Sequence, residues 1–212
     1  MANTSTPFGL KPVKQLDGSA WNGAANLYYI PQADAFAYFI GDVVRTSADG
    51  NLLNGASAVT LFGTRNAAAV AGAARGVVVG IGTAVATPQG AQVGNFDPDN
   101  LSLVSIPAVK TKDYYVWVVD SPDVIFEVQT DTIANTAFNK NAPLFVALAP
   151  TAPQNQSLSF AQGSAANTTQ TLPLKIIGAP LRMDNELVSP GTFAKVWVRF
   201  NQHELFGNTA GV

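Results

Sequence analysis

The sequence predicts an all-β protein: an antiparallel β-sandwich or a barrel-like domain with an extended N-terminal arm. Three observations predict this fold class. Ten short runs are rich in valine, isoleucine and aromatic residues, turn-forming residues separate them, and no long stretch shows the apolar spacing of a helix. With 18 glycines and 13 prolines among 212 residues, the chain has enough turn residues to end each run after a few positions. Many short strands at such spacing are typical of sandwiches and barrels.

The first 25 residues differ from the rest of the chain, because their apolar residues follow neither a strand nor a helix period. Prolines and glycines interrupt the segment, so it is expected to be extended. We therefore predict an arm over residues 1–25 and a single β-rich domain over residues 26–212. Large apolar side chains on such an arm need another surface to cover them, and each contributes about 1.5–3 kcal/mol when buried. The arm residues expected to contact a partner are Phe8, Leu10, Val13 and Trp21.

The domain is predicted to contain ten strands. In chain order their sequences are NLYYIP, AYFIGDVVRT, SAVTLFG, ARGVVVGIGTAVAT, NLSLVSIPAV, DYYVWVVD, DVIFEVQT, APLFVALA, LPLKIIGAP and GTFAKVWVRFNQHEL. The run YYVWVV is apolar without interruption, which predicts a central strand with both faces covered. The proline and two aspartates of VDSPDV predict a hairpin between that strand and the next one.

Two of these runs alternate between apolar and polar residues, which predicts one buried and one amphipathic face. In residues 193–200 the buried face would carry Ala194, Val196, Val198 and Phe200, and the other face Phe193, Lys195, Trp197 and Arg199. Residues 124–129 divide in the same way. Such alternation favours antiparallel sheets. The side chains expected in the core are Trp117, Phe126, Val198 and Phe200.

Two segments break the strand pattern. Residues 64–74, TRNAAAVAGAA, suit either a short helix or a loop of small residues. Residues 150–171 are polar and uncharged, and no charged residue occurs between Lys140 and Lys175. Because long loops of this kind are usually functional or mobile, we predict a long polar loop with a peripheral role at about residues 150–171.

Charge and composition exclude several classes of function. Charged residues make up 12% of the chain, about half the usual share. The formal charge is -2, and no cluster of lysine and arginine appears along the sequence, so nucleic acid is not expected as a partner. The absence of cysteine excludes disulfides and thiolate zinc sites. Because the start lacks a signal-peptide pattern and Arg75 interrupts the most apolar run, residues 66–86, we expect a soluble protein without a membrane partner.

His203 is the chain's single histidine and the first candidate for catalysis. Its neighbour Glu204 would project to the opposite side of a strand and could not orient the imidazole ring. A Ser-His-Asp arrangement stays open, because its members meet only in space, but no GxSxG elbow is present. We interpret His203 as the polar end of the last strand.

Cofactor and metal motifs are incomplete. The pair Gly80 and Gly82 lacks the third glycine of a dinucleotide loop, and Pro88 prevents the helix that should follow, so these glycines are interpreted as strand residues. The cluster FDPDN, residues 96–100, lacks the spacing of a calcium loop and is predicted to be a turn. We therefore predict no catalytic residue, no cofactor and no metal site.

Aromatic residues leave one alternative open. If they are exposed, they could stack on sugar rings, as in a carbohydrate-binding module or a hydrolase. If they are buried, they are core residues, which we prefer. The residues concerned are Tyr28, Tyr29, Tyr114, Tyr115, Trp117 and Trp197.

Both ends of the chain resemble structural virion proteins of tailed bacteriophages. The opening ANTSTPFGLKPVKQLDGSAWNGAANLYYIP, the FIGDVV that follows and the closing LKIIGAPLRMDNELVSPGTFAKVWVRFNQHEL carry the resemblance. The segment YVWVVDSPDVIFEVQTD extends it into the middle of the chain. The family that these phrases most resemble is that of the capsid decoration, or head cement, proteins.

The resemblance implies a non-enzymatic protein without a cofactor, made in the host cytoplasm and placed on the exterior of the virion capsid. Its partner would be the major capsid protein, whose lattice it would stabilise. A homotrimer is implied, with a homodimer as the alternative. Another phage component, such as a head fibre base or a tail protein, is the alternative function.

Overall fold

The computed structural model describes residues 3–51, 55–86, 92–95, 105–150, 155–187 and 191–206. Within these ranges the chain forms eighteen strands and two short 3-10 turns, at Asn135–Ala137 and Gly163–Ala165. The strands are β1 (Lys11–Gln15), β2 (Asn26–Ile30), β3 (Tyr38–Phe39), β4 (Val43–Asn51), β5 (Ala56–Leu61), β6 (Ala67–Ala69), β7 (Gly76–Ala86), β8 (Gln92–Asn95), β9 (Ser105–Ile106), β10 (Tyr114–Val119), β11 (Val124–Gln129), β12 (Thr132–Ile133), β13 (Asn141–Ala142), β14 (Leu144–Val146), β15 (Phe160–Ala161), β16 (Leu174–Gly178), β17 (Gly191–Thr192) and β18 (Lys195–Phe200). The predicted all-β fold with antiparallel sheets is confirmed. No helix in the described ranges has the length and apolar character needed to cross a membrane.

Five strands form an open sheet in the order β1, β11, β18, β16, β13. Every neighbouring pair in it is antiparallel. Strand β18 lies in the middle and alternates as the sequence predicts, with Val196 and Val198 fully buried on the inner face and Lys195 and Trp197 half-buried on the outer face. The period of two therefore places one face of this sheet on the core.

A second group of strands closes on itself. Strands β10, β2, β5, β4 and β7 pair in that order, and β10 also pairs with β7, so the five strands form a closed ring. The pairing of β2 with β5 is parallel, and the other four pairings in the ring are antiparallel. Strand β8 continues the sheet beyond β7. Because β10 has a partner on each side, the prediction that YYVWVV forms a central strand is confirmed.

One continuous cluster of buried side chains fills the core of both units, the open sheet and the closed ring. It contains Ile30 and Val116 from the ring and Phe126 and Phe200 from the open sheet. The rings of Phe126 and Phe200 pack with their centroids 5.3 Å apart, in a tilted arrangement that aromatic pairs favour. Burial of each large apolar side chain contributes about 1.5–3 kcal/mol. The core thus fixes how the open sheet lies against the ring.

The N-terminal segment is built into the domain. Its residues 11–15 form β1 at the edge of the open sheet. Just before β1, the Gly9 N–H donates to the Ser159 carbonyl at 3.2 Å and the Leu10 N–H donates to the Gly41 carbonyl at 3.0 Å. A Cβ on Gly9 would lie 2.4 Å from the Gly41 oxygen, so this crossing requires glycine. Strand β1 is extended, as predicted for the segment, but it lies on its own domain, and a turn after Gln15 brings Ala20 back beside Lys14.

Two predicted local structures are wrong. No hairpin joins β10 to β11, because β10 lies in the ring and β11 in the open sheet, so the VDSPDV turn leads the chain from one unit to the other. Residues 64–74 form neither a helix nor a simple loop, because they contain β6, which pairs with β14. In both places the pairing partner is distant in sequence, which a local pattern does not reveal.

Of the polar segment at residues 150–171, the structure describes residue 150 and residues 155–171. This part contains β15 and a 3-10 turn, and Ser157 and Ser159 are almost completely buried. The Ser157 N–H donates to the Ile40 carbonyl at 2.8 Å, and the Ser159 hydroxyl accepts from the Ala147 N–H at 3.3 Å. Residues 157–163 are therefore a packed connection, whereas residues 164–171, apart from Ala166, are exposed as a peripheral loop would be. The turn predicted at residues 96–100 lies outside the described residues.

Candidate functional site

The four predicted arm residues do not form one surface. Leu10 is 2% exposed and belongs to the core of its own chain, so it offers nothing to a partner in this conformation. Phe8 and Val13 are half-buried, and Phe8 lines a cleft. Trp21 packs against the edge of the core and lines a separate groove. The sequence analysis identified a segment whose apolar side chains need to be buried. Strands of the same chain bury much of this apolar surface.

Gln129 at the end of β11 holds the beginning of the segment. Its side-chain carbonyl accepts from the Thr6 N–H at 2.9 Å, and its amide group donates to the carbonyls of Thr4 at 2.9 Å and Phe193 at 3.0 Å. The Gln129 residue is 2% exposed. Because the Gln129 amide is itself removed from water, losing these partners would leave a buried polar group unsatisfied. Gln129 therefore fixes the path of the segment toward the cleft.

A cleft of about 630 Å³ lies between the N-terminal segment, strand β7 and the ends of β11 and β18. Its apolar wall includes Phe8, Ile40 and Val79. Its charged wall carries Lys11, Glu127, Arg182, Asp184 and Lys195. A site that joins apolar and charged walls in this way suits a peptide or protein surface better than a purely apolar ligand.

Residues 180–187 form a loop over this cleft, called here the anchored loop. Arg182 binds Glu127 through two hydrogen bonds, from Nη2 to Oε1 at 2.7 Å and from Nη1 to Oε2 at 3.0 Å. Arg182 Nε also donates to Asp184 at 3.1 Å, and Asp184 accepts from Lys195 on β18. Parallel bonds between a guanidinium and a carboxylate fix direction as well as distance. The loop is therefore tied to both β11 and β18.

Asn185 provides a second attachment for the anchored loop. Its side chain donates to the carbonyls of Pro180 and Lys195, both at 2.9 Å, and accepts from the Lys195 N–H at 2.7 Å. Asn185 is 5% exposed, so its amide acts as a buried bridge between the loop and β18.

The ion pairs of the anchored loop shift two pKa values. The hydrogen bonds to Glu127 raise the pKa of Arg182 above its ordinary value. The hydrogen bond from Lys195 lowers the pKa of Asp184 below its ordinary value. Both shifts favour the charged forms, so the attachment of the loop is complete at neutral pH.

Two apolar side chains of the anchored loop face the solvent. Leu181 is 90% exposed and Met183 is 100% exposed, while the residues between and after them hold the backbone in place. Ile40, which is 40% exposed, lies at the nearby cleft. Single exposed apolar residues are common on protein surfaces. Here, however, a polar network holds two of them outward beside a cleft lined by Arg182 and Asp184.

An apolar groove of about 260 Å³ lies on the other side of Val79, between Trp21 and Trp117. Gly80 forms its floor, since a Cβ there would meet the Trp117 ring at 3.5 Å. The prediction that Gly80 is a strand glycine agrees with its place in β7. Trp117 is half-buried and lines this groove, so its prediction as a core residue is wrong, whereas Phe126, Val198 and Phe200 are core residues.

His203 is buried and lies beyond the last strand, so its prediction as the polar end of that strand is wrong. Strand β18 ends at Phe200, and His203 forms a bridge to Ala74 next to the ring. The residue is 2% exposed, and its Nδ1 accepts from the Leu205 N–H at 3.0 Å. Burial, together with the charge of Arg75, lowers the pKa of His203 to about 4. The imidazole is therefore neutral at physiological pH and holds the C-terminal segment in place.

A buried polar cluster lies beside His203. The Tyr28 hydroxyl donates to Asp120 Oδ2 at 2.5 Å and accepts from Arg75 Nε at 2.6 Å, and Asn26 donates to both oxygens of Asp120. Burial raises the pKa of Tyr28 to about 12, with the Asp120 hydrogen bond adding to the effect. The phenol stays protonated and supplies no activated nucleophile. The cluster connects β2 with the residue before β7 and the residue after β10.

As predicted from the sequence, Glu204 does not orient His203. Its carboxylate accepts from the backbone N–H of Thr46 at 2.8 Å and from the Thr46 hydroxyl. Its own N–H donates to the Ala74 carbonyl at 3.0 Å. These bonds tie Glu204 to β4 and to the residues just before β7.

The anchored loop is the part of the candidate site that the sequence analysis missed. In residues 181–184, LRMD, apolar and polar residues alternate as they would in a strand. The alternation indicates that one set of side chains should be buried, but here Leu181 and Met183 are exposed, and Arg182 and Asn185 make the internal contacts. Pro180, which precedes this stretch, was the available signal that β16 ends before it.

No three histidine, aspartate or glutamate side chains come together as metal ligands in the part of the chain described by the structure. Comparison of the chain with protein-family models, with curated proteins and with solved structures found no match.

Proposed function

We propose that this protein is a structural component of a tailed-phage virion that binds the outer surface of the capsid and stabilises the lattice of the major capsid protein. The observation that carries the proposal is the outward position of Leu181 and Met183 on the anchored loop. Exposed apolar side chains lose favourable free energy in water and regain it when a partner covers them. The resemblance of both chain ends to head decoration proteins supplies the class of partner.

The rigidity of the loop supports a binding role. A flexible loop would lose conformational entropy on binding, at a cost of about 0.5–1.5 kcal/mol for each side chain that becomes fixed. The Arg182 pair with Glu127 and the bridge through Asn185 fix the backbone before any partner arrives. The two apolar side chains are thus presented on a preorganised frame, as in specific interfaces.

The buried ionisable groups support a structural role. Asp42 is fully buried and pairs with Arg65, whose Nη2 also donates to the Ala37 carbonyl at 2.7 Å. Lys110 is likewise enclosed and paired with Asp34. Each of these pairs joins segments distant in sequence, which stiffens the fold. The proposal assigns the chain no catalytic residue and no cofactor.

The proposal places the protein on the capsid exterior after synthesis in the host cytoplasm, as a homotrimer or a homodimer. It also changes the expected role of the arm. Because Leu10 is enclosed by its own core, the contact with the capsid is assigned to the anchored loop and the cleft, with Phe8 as the contribution of the N-terminal segment.

Co-sedimentation with undecorated capsids tests this function. Wild-type protein is expected to bind saturably at a fixed ratio to the major capsid protein, and Leu181→Ser with Met183→Ser is expected to weaken binding by about tenfold or more, as loss of interface anchors does. The control is Val109→Ser with Leu148→Ser, which removes two side chains that are 86% and 60% exposed elsewhere. Absence of wild-type binding to every capsid form would refute the capsid proposal and favour a head fibre or tail position.

The groove between Trp21 and Trp117 supports a second candidate function, carbohydrate binding. Two indoles at the edge of an apolar groove are suited to stacking on a sugar ring. A glycan array tests it, with Trp117→Ala as the variant. Glycan binding that is lost in this variant, together with no capsid binding, would favour this candidate over the structural one.

A further inference from the structure

The outer face of the five-stranded sheet gathers basic residues that are scattered along the sequence. Directly opposed residues on neighbouring strands have side chains on the same face. Lys11 opposes Glu127, Glu127 opposes Trp197, and Lys175 opposes Arg199. The face, called here the basic face, is completed by the loop residue Arg182, which binds Glu127. Its basic residues are Lys11, Lys14, Lys175, Lys195, Arg182 and Arg199.

The charge of the basic face is opposite to that of the rest of the chain. The six basic residues and the two carboxylates among them, Glu127 and Asp184, give the face a formal charge of +4. The chain has 12 basic and 14 acidic residues. The remaining six basic and twelve acidic residues therefore give the rest of the chain a formal charge of -6. The net charge of -2 conceals this separation.

Two basic residues of the face lie opposite each other without a carboxylate to balance them. Lys175 on β16 and Arg199 on β18 are directly opposed. Like charges in this position destabilise a sheet. Among the described residues, no carboxylate lies within ion-pair distance of either side chain, although Arg182 and Lys195 on the same face have such partners. This repulsion would be relieved by an anionic group supplied from outside.

We propose that the basic face docks on an acidic surface of a partner protein. The inference deepens the proposed function, on which it rests, by assigning the chemistry of the capsid surface that is recognised: carboxylate side chains that would lie opposite Lys175 and Arg199. Charge complementarity carries the argument, because complementary potentials steer association and fix the orientation of the partner.

The composition of the face favours protein over nucleic acid as the partner. Glu127 and Asp184 lie among the cations, where the closely spaced phosphates of a nucleic acid would approach them. Leu181 and Met183 project beside the same face and need an apolar counterpart. Protein interfaces combine apolar anchors with a polar rim, whereas nucleic-acid interfaces are strongly basic and polar.

Lys14 and Trp197 add a detail that fits a surface contact. The Lys14 Nζ lies 3.8 Å from the centroid of the Trp197 ring, so the ammonium group is held over the indole. The lysine stem and the indole form a continuous half-buried surface at the centre of the face. A partner carboxylate can then approach a cation whose position is already fixed.

The test measures capsid binding over a series of sodium chloride concentrations. The double variant Lys175→Gln with Arg199→Gln is compared with the double variant Arg45→Gln with Lys112→Gln. The second pair removes two exposed cations that lie away from the basic face, one on β4 and one just before β10. We expect the first pair to weaken binding about tenfold at low salt, with a flatter salt dependence, and the second pair to have little effect. Thermal melting of each variant verifies that the fold is retained.

The outcomes separate this inference from the proposed function. If wild-type protein binds capsids and both variant pairs bind equally well, the basic face is not the contact, although the function stands. If wild-type protein binds no capsid, the proposed function fails, and the face is tested with soluble polyglutamate and duplex DNA. Retention of polyglutamate that is lost only in the Lys175 and Arg199 variant would support the face; preferential binding of DNA would overturn it.

Discussion

The Nζ atom of Lys110 lies 3.2 Å from Oδ1 of Asp34, and the lysine side chain is fully buried. The same ammonium group donates to the carbonyl oxygens of Asp34 and Phe36, both at 2.6 Å. Burial lowers the pKa of Lys110, while the nearby carboxylate opposes that effect. The lysine thus joins the segment before β10 to the turn after β2 through three acceptors.

Replacement of Lys110 by methionine is expected to destabilise the protein strongly. The variant would leave the Asp34 carboxylate, whose side chain is 9% exposed, without its cation, and breaking a buried pair from one side typically costs about 3–5 kcal/mol. Urea unfolding measures this loss. The control is Lys112→Met, since Lys112 is exposed, and a change there should stay within about 0.5 kcal/mol. Equal effects of the two variants would contradict a structural role for the buried pair.

The strands could be predicted from the sequence because their signal is local. Alternation in β18 and the apolar run of β10 are properties of six consecutive residues, and both agree with the structure. Pairing depends on distant segments. The closure of the ring needs β10 to meet β7, more than thirty residues earlier in the chain, and the hairpin expected between β10 and β11 was the wrong local choice.

The burial of polar residues could not be predicted for a similar reason. The alternation in β11 suggests a polar outer face, yet Glu127 and Gln129 are both buried. They are covered by the anchored loop and by the N-terminal segment, through Arg182 and Thr6. The sequence contains these residues, but only the fold brings them to β11. The candidate site therefore follows from packing, whereas the strands follow from periodicity.

The crossing of Gly9 and Gly41 gives a prediction with a matched control. Gly9→Ala would place a Cβ 2.4 Å from the Gly41 oxygen at a φ of +72°. Gly18→Ala introduces the same methyl group at a φ of +90°, where nothing lies within 4 Å. The control should cost about 1–2 kcal/mol from the left-handed backbone alone. The Gly9 variant should cost about 1–3 kcal/mol more because of overpacking.

Thermal or urea unfolding of the two glycine variants measures the difference. Both positions have positive φ. Subtracting the stability loss of the Gly18 variant from that of the Gly9 variant therefore isolates the cost of the steric contact. A Gly9 variant as stable as the Gly18 variant would show that the N-terminal segment can leave the domain at little cost. The segment would then be free to act as an arm.

The attachment of the anchored loop is tested by Glu127→Gln. The glutamine keeps the size of the side chain and removes the charge that binds Arg182 in two places. Hydrogen exchange of residues 180–187 is expected to become at least several-fold faster, because local opening no longer has to break the ion pair. Asp123→Asn is the control, since this exposed carboxylate lies just before the same strand. Unchanged exchange in the Glu127 variant would mean that Asn185 alone fixes the loop.

The depressed pKa of His203 predicts a loss of stability in mild acid. The folded protein keeps the imidazole neutral down to a pKa of about 4, whereas the ordinary pKa of histidine is 6.5. Above pH 6.5 both states are neutral and the residue has no pH-dependent effect. As the pH falls from 6.5 to 4, the unfolded state binds a proton that the folded state does not, so stability decreases with falling pH. The full difference corresponds to about 3 kcal/mol.

Protonation would also turn Nδ1 from an acceptor into a donor and break its bond with the Leu205 N–H. The measurement is urea unfolding at pH 8, 6.5, 5 and 4.5 for the wild type and for His203→Gln. The variant should be less stable at pH 8, because it loses the buried ring, but the gap between the two proteins should narrow steadily below pH 6.5. A constant gap over this range would show that His203 titrates alike in both states, and the acid sensitivity would then have to come from the carboxylates.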